Sequence, residues 1–213
     1  EIASVYVYQN TNQLIFVATD SFRLAEKRIQ VKGIQNFSLL LIPTKNIQDI
    51  IRILEDVGGD VEFLVSKNQI AFSGTRFYLT SRVVDGMYPD YQQIIPKQTV
   101  SSVTLLRSDL VDALRVSSVF SDKFGHMTLS LHPETKKCFI TAISDIGENN
   151  AEIASVLEGE AVDVHLNIRY LTEALAVIGD DSLVISVVGG TKPVIVRPVG
   201  NPTFLYLIMP MNR

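Results

Sequence analysis

The stretch PTKNIQDIIRILEDVGG, residues 43–59, decides the fold. Pro43 ends an extended run and suits the opening of a helix, where its fixed φ is helical and its missing N–H is no loss. Ile47, Ile50, Ile51 and Leu54 then recur at helical spacing, and Gly58-Gly59 stops the segment. A helix with one apolar side needs a second layer to cover it, and the flanking residues supply strands. Upstream, residues 5–8 and 14–18 enclose a polar turn around Asn10-Thr11-Asn12 and read as a hairpin, with further strands expected at 23–31 and 37–42. Downstream, strands are expected at 61–65, 69–72 and 77–83, with Lys67-Asn68 as the turn between the first two.

The same order then recurs. Residues 127–131 and 138–143 repeat the hairpin, and 152–157 and 161–166 stand where 24–31 and 37–42 stand. Leu171, Ala174, Leu175 and Ile178 copy the helix stripe 124 positions further on (Ile47 to Leu171), and 183–188, 193–196 and 203–208 give three closing strands. One helix at a similar offset could be chance; the whole series in order is an internal repeat. Between the copies, DGMYPDY (85–91) and the run Pro96, Lys97, Gln98, Thr99 carry two prolines and little periodicity, which marks a domain boundary. The expected domains are 1–91 and 92–213. The second has an extra strand at 102–105 and a helix carrying Leu106, Leu110, Ala113, Leu114 and Ser117, with Asp109 near its start. The first domain is therefore expected to lack its opening strand and helix. The chain also opens at Glu1 directly into a strand, without an initiator methionine or a signal-peptide core, so it reads as a fragment. The predicted fold class is α+β, built from strand–helix–three-strand (βαβββ) units with helices covering one face of antiparallel sheets.

Composition narrows the function. Of 213 residues 46% are hydrophobic, which suits a globular protein, and 19 Lys plus Arg against 23 Asp plus Glu leave a net charge of -4. A protein that clings to phosphates shows a basic excess, so any DNA contact must be local or loose. One cysteine, Cys138, excludes an intrachain disulfide framework and a multi-cysteine zinc site; set in KKCFITAI, it reads as a buried structural thiol of an intracellular protein. The longest apolar runs, such as FSLLLI (37–42), fall far short of a membrane span.

Catalytic constellations are thin. His126, His132 and His165 lie near or within strands without metal-ligand spacing. Asp20 and Ser21 have no histidine in the corresponding loop, and Gly58-Gly59 and Gly189-Gly190 match no phosphate-binding pattern. Asp180-Asp181 falls in a polar turn after a helix. No catalytic residue, metal or cofactor is expected, and the protein reads as a non-enzyme. An enzyme assembled from scattered polar residues would need a deep polar pocket with close titratable groups.

The cations are more informative. Lys45 and Arg52 sit seven apart on the first helix, away from its apolar stripe; Arg107 and Arg115 are eight apart on the next, with Lys123 beyond its end, and Arg169 lies on the last. On one helix this is an ordinary solvated face. Repeated on one side of a sheet, such faces could converge on a surface that attracts phosphates without reading bases. Glu55, Asp56, Asp109, Asp112 and Glu173 on the same segments keep that attraction weak, which suits sliding. At the other extreme, FLYLIMPMNR (204–213) ends an apolar strand with two methionines around Pro210, either as strand packing or as one wall of a groove for varied apolar peptides.

At ATDSFRLA (18–25), VDGMYPDY (84–91), SDKF (121–124), NIRY (167–170) and MPM (209–211), in that order, the sequence resembles the bacterial DNA polymerase III β subunits, the sliding clamps. The resemblance covers most of the second and all of the third domain of that family. It implies a cytoplasmic ring of two head-to-tail subunits in the full-length protein, with helices on the inner concave face and sheets outside. The ring encircles double-stranded DNA without reading its sequence. Without a first domain, this chain is expected not to close the ring; Val119 falls near the surface that would meet the neighbouring subunit.

The resemblance also implies a groove where DNA polymerases, the clamp loader, ligase and mismatch-repair proteins dock short motifs, typically a glutamine followed by apolar and aromatic residues. Carried over residue by residue, one subsite is Thr19, Arg23, Leu24, Pro89, Ile94, Thr191 and Leu207, with Gln93, Pro193 and Ile208 also implied as peptide-binding. The second, with the route to it, is Ile2, Phe124, Asn167, Tyr170, Met209, Pro210 and Met211. The implied DNA-facing residues are Lys45, Arg52, Arg107, Arg115, Lys123 and Arg169. The sequence departs at Ser21-Phe22, where many relatives carry Gly-His, at Gln93, which replaces a common basic residue, and at the Asn212-Arg213 end. These bear on partner preference. A peptide-binding scaffold outside replication, without DNA encirclement, is the alternative; a concavity free of basic residues would mark it.

Overall fold

The computed structural model describes residues 1–31, 37 and 39–211. It divides into two compact units, Glu1–Asp90 and Tyr91–Arg213.

The first unit holds β1 (Ser4–Asn10), β2 (Gln13–Thr19), β3 (Arg23–Gln30), β4 (Leu40–Pro43), α1 (Thr44–Val57), β5 (Glu62–Val65), β6 (Gln69–Gly74) and β7 (Phe77–Arg82). They form two antiparallel sheets, ordered β3-β2-β1-β4 and β5-β6-β7. The β1–β2 register, Val7 opposite Phe16, follows the alternation seen in the sequence, and Thr11 takes a positive φ of 53° in the connecting turn. Pro43 stands at the N-cap of α1 without a side-chain cap. Buried Ile50 joins Val7, Leu14, Leu40, Ile42, Ile70 and Phe72 in one core, on which Ile47 and Leu54 pack half-buried. Two differences from the sequence reading stand out. The strand expected at 37–42 begins only at Leu40, with Ser38 outside the described residues. Ile51, expected in the apolar stripe, is 49% exposed.

The second unit opens with a 3-10 turn, Tyr91–Ile94, then β8 (Ser101–Leu106), α2 (Arg107–Phe120), β9 (His126–His132), β10 (Lys137–Ser144), β11 (Gly147–Ile153) and β12 (Ser155–Gly159). It closes with β13 (Val162–Asn167), α3 (Ile168–Val177), β14 (Ser182–Val187), β15 (Val194–Pro198) and β16 (Phe204–Ile208). One antiparallel sheet runs β11-β10-β9-β13, the counterpart of β3-β2-β1-β4; the other includes β12-β8-β14-β15-β16. The strand expected at 152–157 is two strands. Ile153 pairs with Cys138 in the first sheet and Ser155 pairs with Leu105 in the second, so the chain changes sheets at Ala154. Helices α2 and α3 lie against each other, and each touches strands of both sheets. All four stripe residues of α3, Leu171, Ala174, Leu175 and Ile178, are buried. Leu175 is sealed where its counterpart Ile51 is not, because α2 lies against α3 and the first unit has no second helix among its described residues. The α+β class with repeated strand–helix–strand units is as expected.

Candidate peptide-binding site

The second unit carries a cleft of about 570 Å³ between three segments: the 3-10 turn and the residues after it, the β14–β15 loop, and the tail after β16. Ile94, Pro96, Val188, Pro193 and Met209 supply its apolar surface, and Gln93, Gln98 and Thr191 supply polar groups. A volume of this size and a mainly apolar lining with a few polar groups suit a small molecule or a short peptide segment. The cleft thus gathers five of the residues picked out beforehand, Gln93, Ile94, Thr191, Pro193 and Met209. Sequence reasoning used Pro96, Lys97 and Gln98 only as a boundary signal and passed over Val188 and Lys192. The prolines that break periodicity are also what keep this segment free of sheet pairing and able to wall a cleft.

Leu207 and Ile208 are placed differently from an exposed groove wall. Both lie fully buried in β16, Leu207 opposite Ile195 and Ile208 opposite Val194, so they form the packing beneath the tail. Met209, Pro210 and Met211 are half-buried beyond the strand, and the Met211 amide donates to the His165 carbonyl at 2.8 Å, anchoring the tail beside β13.

Loop 121–125 and the start of α3 form a second group in the same unit. Asn167 caps α3: its Oδ1 accepts from the Arg169 amide at 2.9 Å, while its Nδ2 donates to the Phe124 carbonyl at 3.0 Å. The Asp122 carboxylate accepts from the Phe124 and His126 amides, both at 3.0 Å, and lies 2.6 Å from His126 Nδ1. The His126 amide and then its ring, with the Phe124 amide adding to them, hold the Asp122 carboxyl below its ordinary value. These bonds present the Phe124 ring 58% exposed, edge-on to His126, with Lys123 Nζ 5.0 Å from its centre. Tyr170 follows on α3, half-buried. The Asp122–His126 pair was invisible in sequence, although the SDKF motif contained half of it.

The candidates in the first unit cluster at the β2–β3 turn. Thr19 Oγ1 donates to the Arg23 carbonyl at 2.7 Å and accepts from the Ser21 amide at 3.1 Å. Asp20 Oδ1 accepts from the Phe22 and Arg23 amides at 3.0 Å each, and its Oδ2 pairs with Arg23 Nε at 3.0 Å. The turn forces Ser21 to a φ of 75°, the left-handed region that glycine enters freely. Leu24 is buried; Pro89 and Ile2 are exposed. Tyr88, just before Pro89, stacks on Tyr6 at 4.8 Å between ring centres. Burial raises the Tyr88 phenol above its ordinary value, partly opposed by the Thr19 backbone, and burial followed by nearby Tyr8 raises that of Tyr6.

The cations meet different fates. Lys45 and Arg169 are exposed on α1 and α3. Arg52 and Arg115 are exposed and ion-paired one turn back, to Asp49 at 3.0 Å and Asp112 at 3.2 Å. Arg107 is tied up inside its unit: Nε and Nη2 donate to the Leu175 carbonyl at 3.0 and 2.7 Å, closing the C-terminal end of α3. Its first assignment is therefore structural, where the sequence suggested a solvated, DNA-facing side chain. Among the described residues, no group of three or more His, Cys, Asp or Glu could hold a metal ion, and no helix is long and apolar enough to cross a membrane.

Comparison with known proteins accounts for this arrangement. The family profile described as the DNA polymerase III beta subunit, central domain, matches residues 2–90, and that of the C-terminal domain matches residues 92–212. The beta sliding clamp of Synechococcus elongatus is 28% identical over 217 aligned positions, covering 99% of this chain and 58% of that protein. That of Staphylococcus aureus is 26% identical, covering 94% and 54%. Among solved structures, the DNA polymerase III subunit beta of Pseudomonas aeruginosa superposes with a TM-score of 0.92 at 25% identity, over 99% of this chain and 58% of that one. The sliding clamp of Bacillus subtilis shares the fold at a TM-score of 0.94, over 100% and 57%. The chain therefore spans somewhat over half the length of these relatives. With its two domains matched in order from end to end, the chain belongs to the DNA polymerase III beta subunit family.

Proposed function

We propose that this chain forms the central and C-terminal domains of a cytoplasmic, non-catalytic sliding clamp, a processivity factor that encircles duplex DNA and docks replication and repair proteins through a peptide groove. The observation that carries the reading is the ordered match to both clamp domains, residues 2–90 and 92–212. The cleft that unites Gln93, Ile94, Thr191, Pro193 and Met209 supports the docking half of it. Polymerases, a clamp loader, ligase and mismatch-repair proteins are the proposed partners, and a two-subunit ring is the proposed assembly of the whole protein.

The physical logic is a division of labour. Exposed cations such as Lys45 and Arg169, diluted by pairs such as Arg52–Asp49, attract phosphates only weakly. Retention then comes from topology, since a closed ring must open to leave DNA. Docking relies instead on apolar burial: one leucine and one aromatic side chain contribute about 3–6 kcal/mol before ordering costs, which gives micromolar motif peptides. Calorimetry with a polymerase-tail peptide containing glutamine and leucine tests this, and absence of heat at high concentration would count against the groove. Removing residues 209–213 should abolish the same signal; retained binding would move the site elsewhere.

A further inference from the structure

The internal repeat extends past the strands into the segments that follow them. Beyond β7 the Val84 amide donates to the Leu41 carbonyl at 2.8 Å; beyond β16 the Met211 amide donates to the His165 carbonyl, also at 2.8 Å. Leu41 and His165 stand 124 positions apart, the spacing of Ile47 and Leu171. Arg82-Val83-Val84 is thus the first unit's copy of Met209-Pro210-Met211, and the β5–β6 loop is its copy of the β14–β15 loop. These copies also enclose cavities. One of about 430 Å³ lies between the β5–β6 loop, at Lys67 and Asn68, and the end of β7, at Arg82 and Val83. The Val83 amide donates to the Asn68 carbonyl at 3.1 Å and ties these walls together. Another, of about 530 Å³, lies between Arg82–Val84 and the first turns of α1, at Lys45, Asn46 and Ile50. There Asn46 Nδ2 donates to the hydroxyl of buried Ser81 at 2.9 Å and fixes α1 to β7. Arg82 and Val83 line both cavities, so the two adjoin.

What differs between the copies is the chemistry. Met209 lines the second unit's cleft, whereas its counterpart Arg82 is a cation, joined by Lys67 in one cavity and Lys45 in the other. All three are exposed. Of the acids lining the pair of cavities, Asp49 and Asp85, the first is already held by Arg52 at 3.0 Å. The whole chain carries a net charge of -4, so this surface is a local cationic exception. Its apolar floor is aliphatic, from Ile50, Leu79, Val83 and Val84.

We propose that the first unit carries a second docking site, which takes acidic peptide segments: carboxylates beside a small aliphatic anchor. The proposal borrows its template from the docking reading of the second unit, but its selectivity stands on the first unit's own charges. An aliphatic side chain seated between α1 and the end of β7 brings the neighbouring peptide residues against Arg82, Lys45 and Lys67. A carboxylate is attracted there and its isosteric amide is not. Because the cations are exposed, each contributes as a solvent-screened pair, which gives discrimination more than raw affinity.

The test uses the full chain and a fluorescent peptide of alternating glutamate and valine, beside a twin with glutamine at every glutamate. Anisotropy titrations should show saturable binding of the glutamate peptide and much weaker binding of the twin. The preference should shrink as salt rises from about 0.1 M to about 1 M, where the Debye length falls from about 10 Å to about 3 Å. The Lys67→Gln, Arg82→Gln double variant should weaken binding roughly 2- to 25-fold, at about 1.4- to five-fold per screened pair. Lys67→Glu with Arg82→Glu should abolish it, with thermal melting confirming that both variants remain folded. An excess of unlabelled glutamine- and leucine-containing motif peptide should leave the signal unchanged. That motif peptide, labelled and titrated by itself, reports on the second unit's groove, so failure there is distinguishable from failure of the second site. Equal binding of the twin, binding that survives both double variants, or displacement by the motif peptide overturns the proposal. So does a lack of saturable binding below about 1 mM, and if a short DNA duplex then binds in an Arg82-dependent way, the surface is a phosphate site instead.

Discussion

Replacing Arg107 by alanine separates a structural role from a DNA-binding one. The guanidinium gives two donors, at 3.0 and 2.7 Å, to the carbonyl of Leu175 in the last turn of α3. That carbonyl has no further helical turn to accept from, whereas the neighbouring Ala174 carbonyl takes the Ile178 amide at 3.2 Å. Hydrogen bonds from a charged donor contribute about 1.5–3 kcal/mol, and an abandoned carbonyl beside buried Leu175 loses its partner altogether. For a domain of this size that corresponds to a fall in melting temperature of roughly 5–15 °C. Far-UV circular dichroism suits the measurement, because the chain has no tryptophan. Arg107→Lys should recover only part of the loss, since an ammonium cannot place two fixed donors on one oxygen. Arg115→Ala is the control: its pair with Asp112 is 75% and 72% exposed and should shift stability by less than about 1 kcal/mol. Unchanged melting of Arg107→Ala would refute the assignment, most plainly if retention on DNA were lost at the same time.

Other expectations follow from single groups. Asp122 is held below its ordinary value in the folded state by the His126 amide first and its ring second, so its contribution is present above the unfolded carboxyl pKa and is lost as pH falls through the lowered folded one. Asp122→Asn should abolish that acid-side dependence and shift the amide resonances of Phe124 and His126; an unaltered pH profile would refute the role. Ser21, at a φ of 75°, should give way to glycine with a gain of roughly 0.5–1 kcal/mol in urea unfolding, and a loss would show that the extra freedom glycine gives the unfolded chain outweighs the backbone strain relieved, since the backbone N–H that donates to Thr19 is kept. Burial pushes the Cys138 thiol up to about 11, only partly opposed by Ser155. It should resist aromatic disulfide reagents until the protein unfolds, and because the unfolded thiol ionises first, this group costs stability as pH rises past about 9.

The repeat was legible because its signals are periodic: alternation in β1 and β2, 3.6-residue spacing in α1 and α3, and a glycine pair that stops α1. Events that depend on what lies across a layer were not. The change of sheets at Ala154 leaves no break in composition, since Ile153 and Ser155 are both acceptable in one strand and only their partners, Cys138 and Leu105, differ. Of the residues expected at the groove, Gln93, Ile94 and Met209 line a cleft, whereas Leu207 and Ile208 fall in β16 and are buried, a difference that apolar character alone does not encode. The Asp122–His126 pair joins residues four apart across a loop end, and no residue pattern distinguishes that from two solvated side chains.

The helices carry the same lesson through to function. Ile51 and Leu175 occupy one position of the repeated stripe, yet one is 49% exposed and the other 1%, because a neighbouring helix, not the stripe, decides burial there. The charges obey the same rule. Arg107 and Arg115 lie on one helix, but α3 captures the first, while the second pairs with its own Asp112. A count of helical cations therefore overstates the positive surface available to phosphates. What remains is Lys45, Lys123 and Arg169, all exposed, with Arg52 and Arg115 half-neutralised by acids one turn away. Solvent-exposed charges such as these attract phosphates only weakly at physiological salt. The proposed clamp function fits these exposed charges, since it asks retention of enclosure and not of electrostatics.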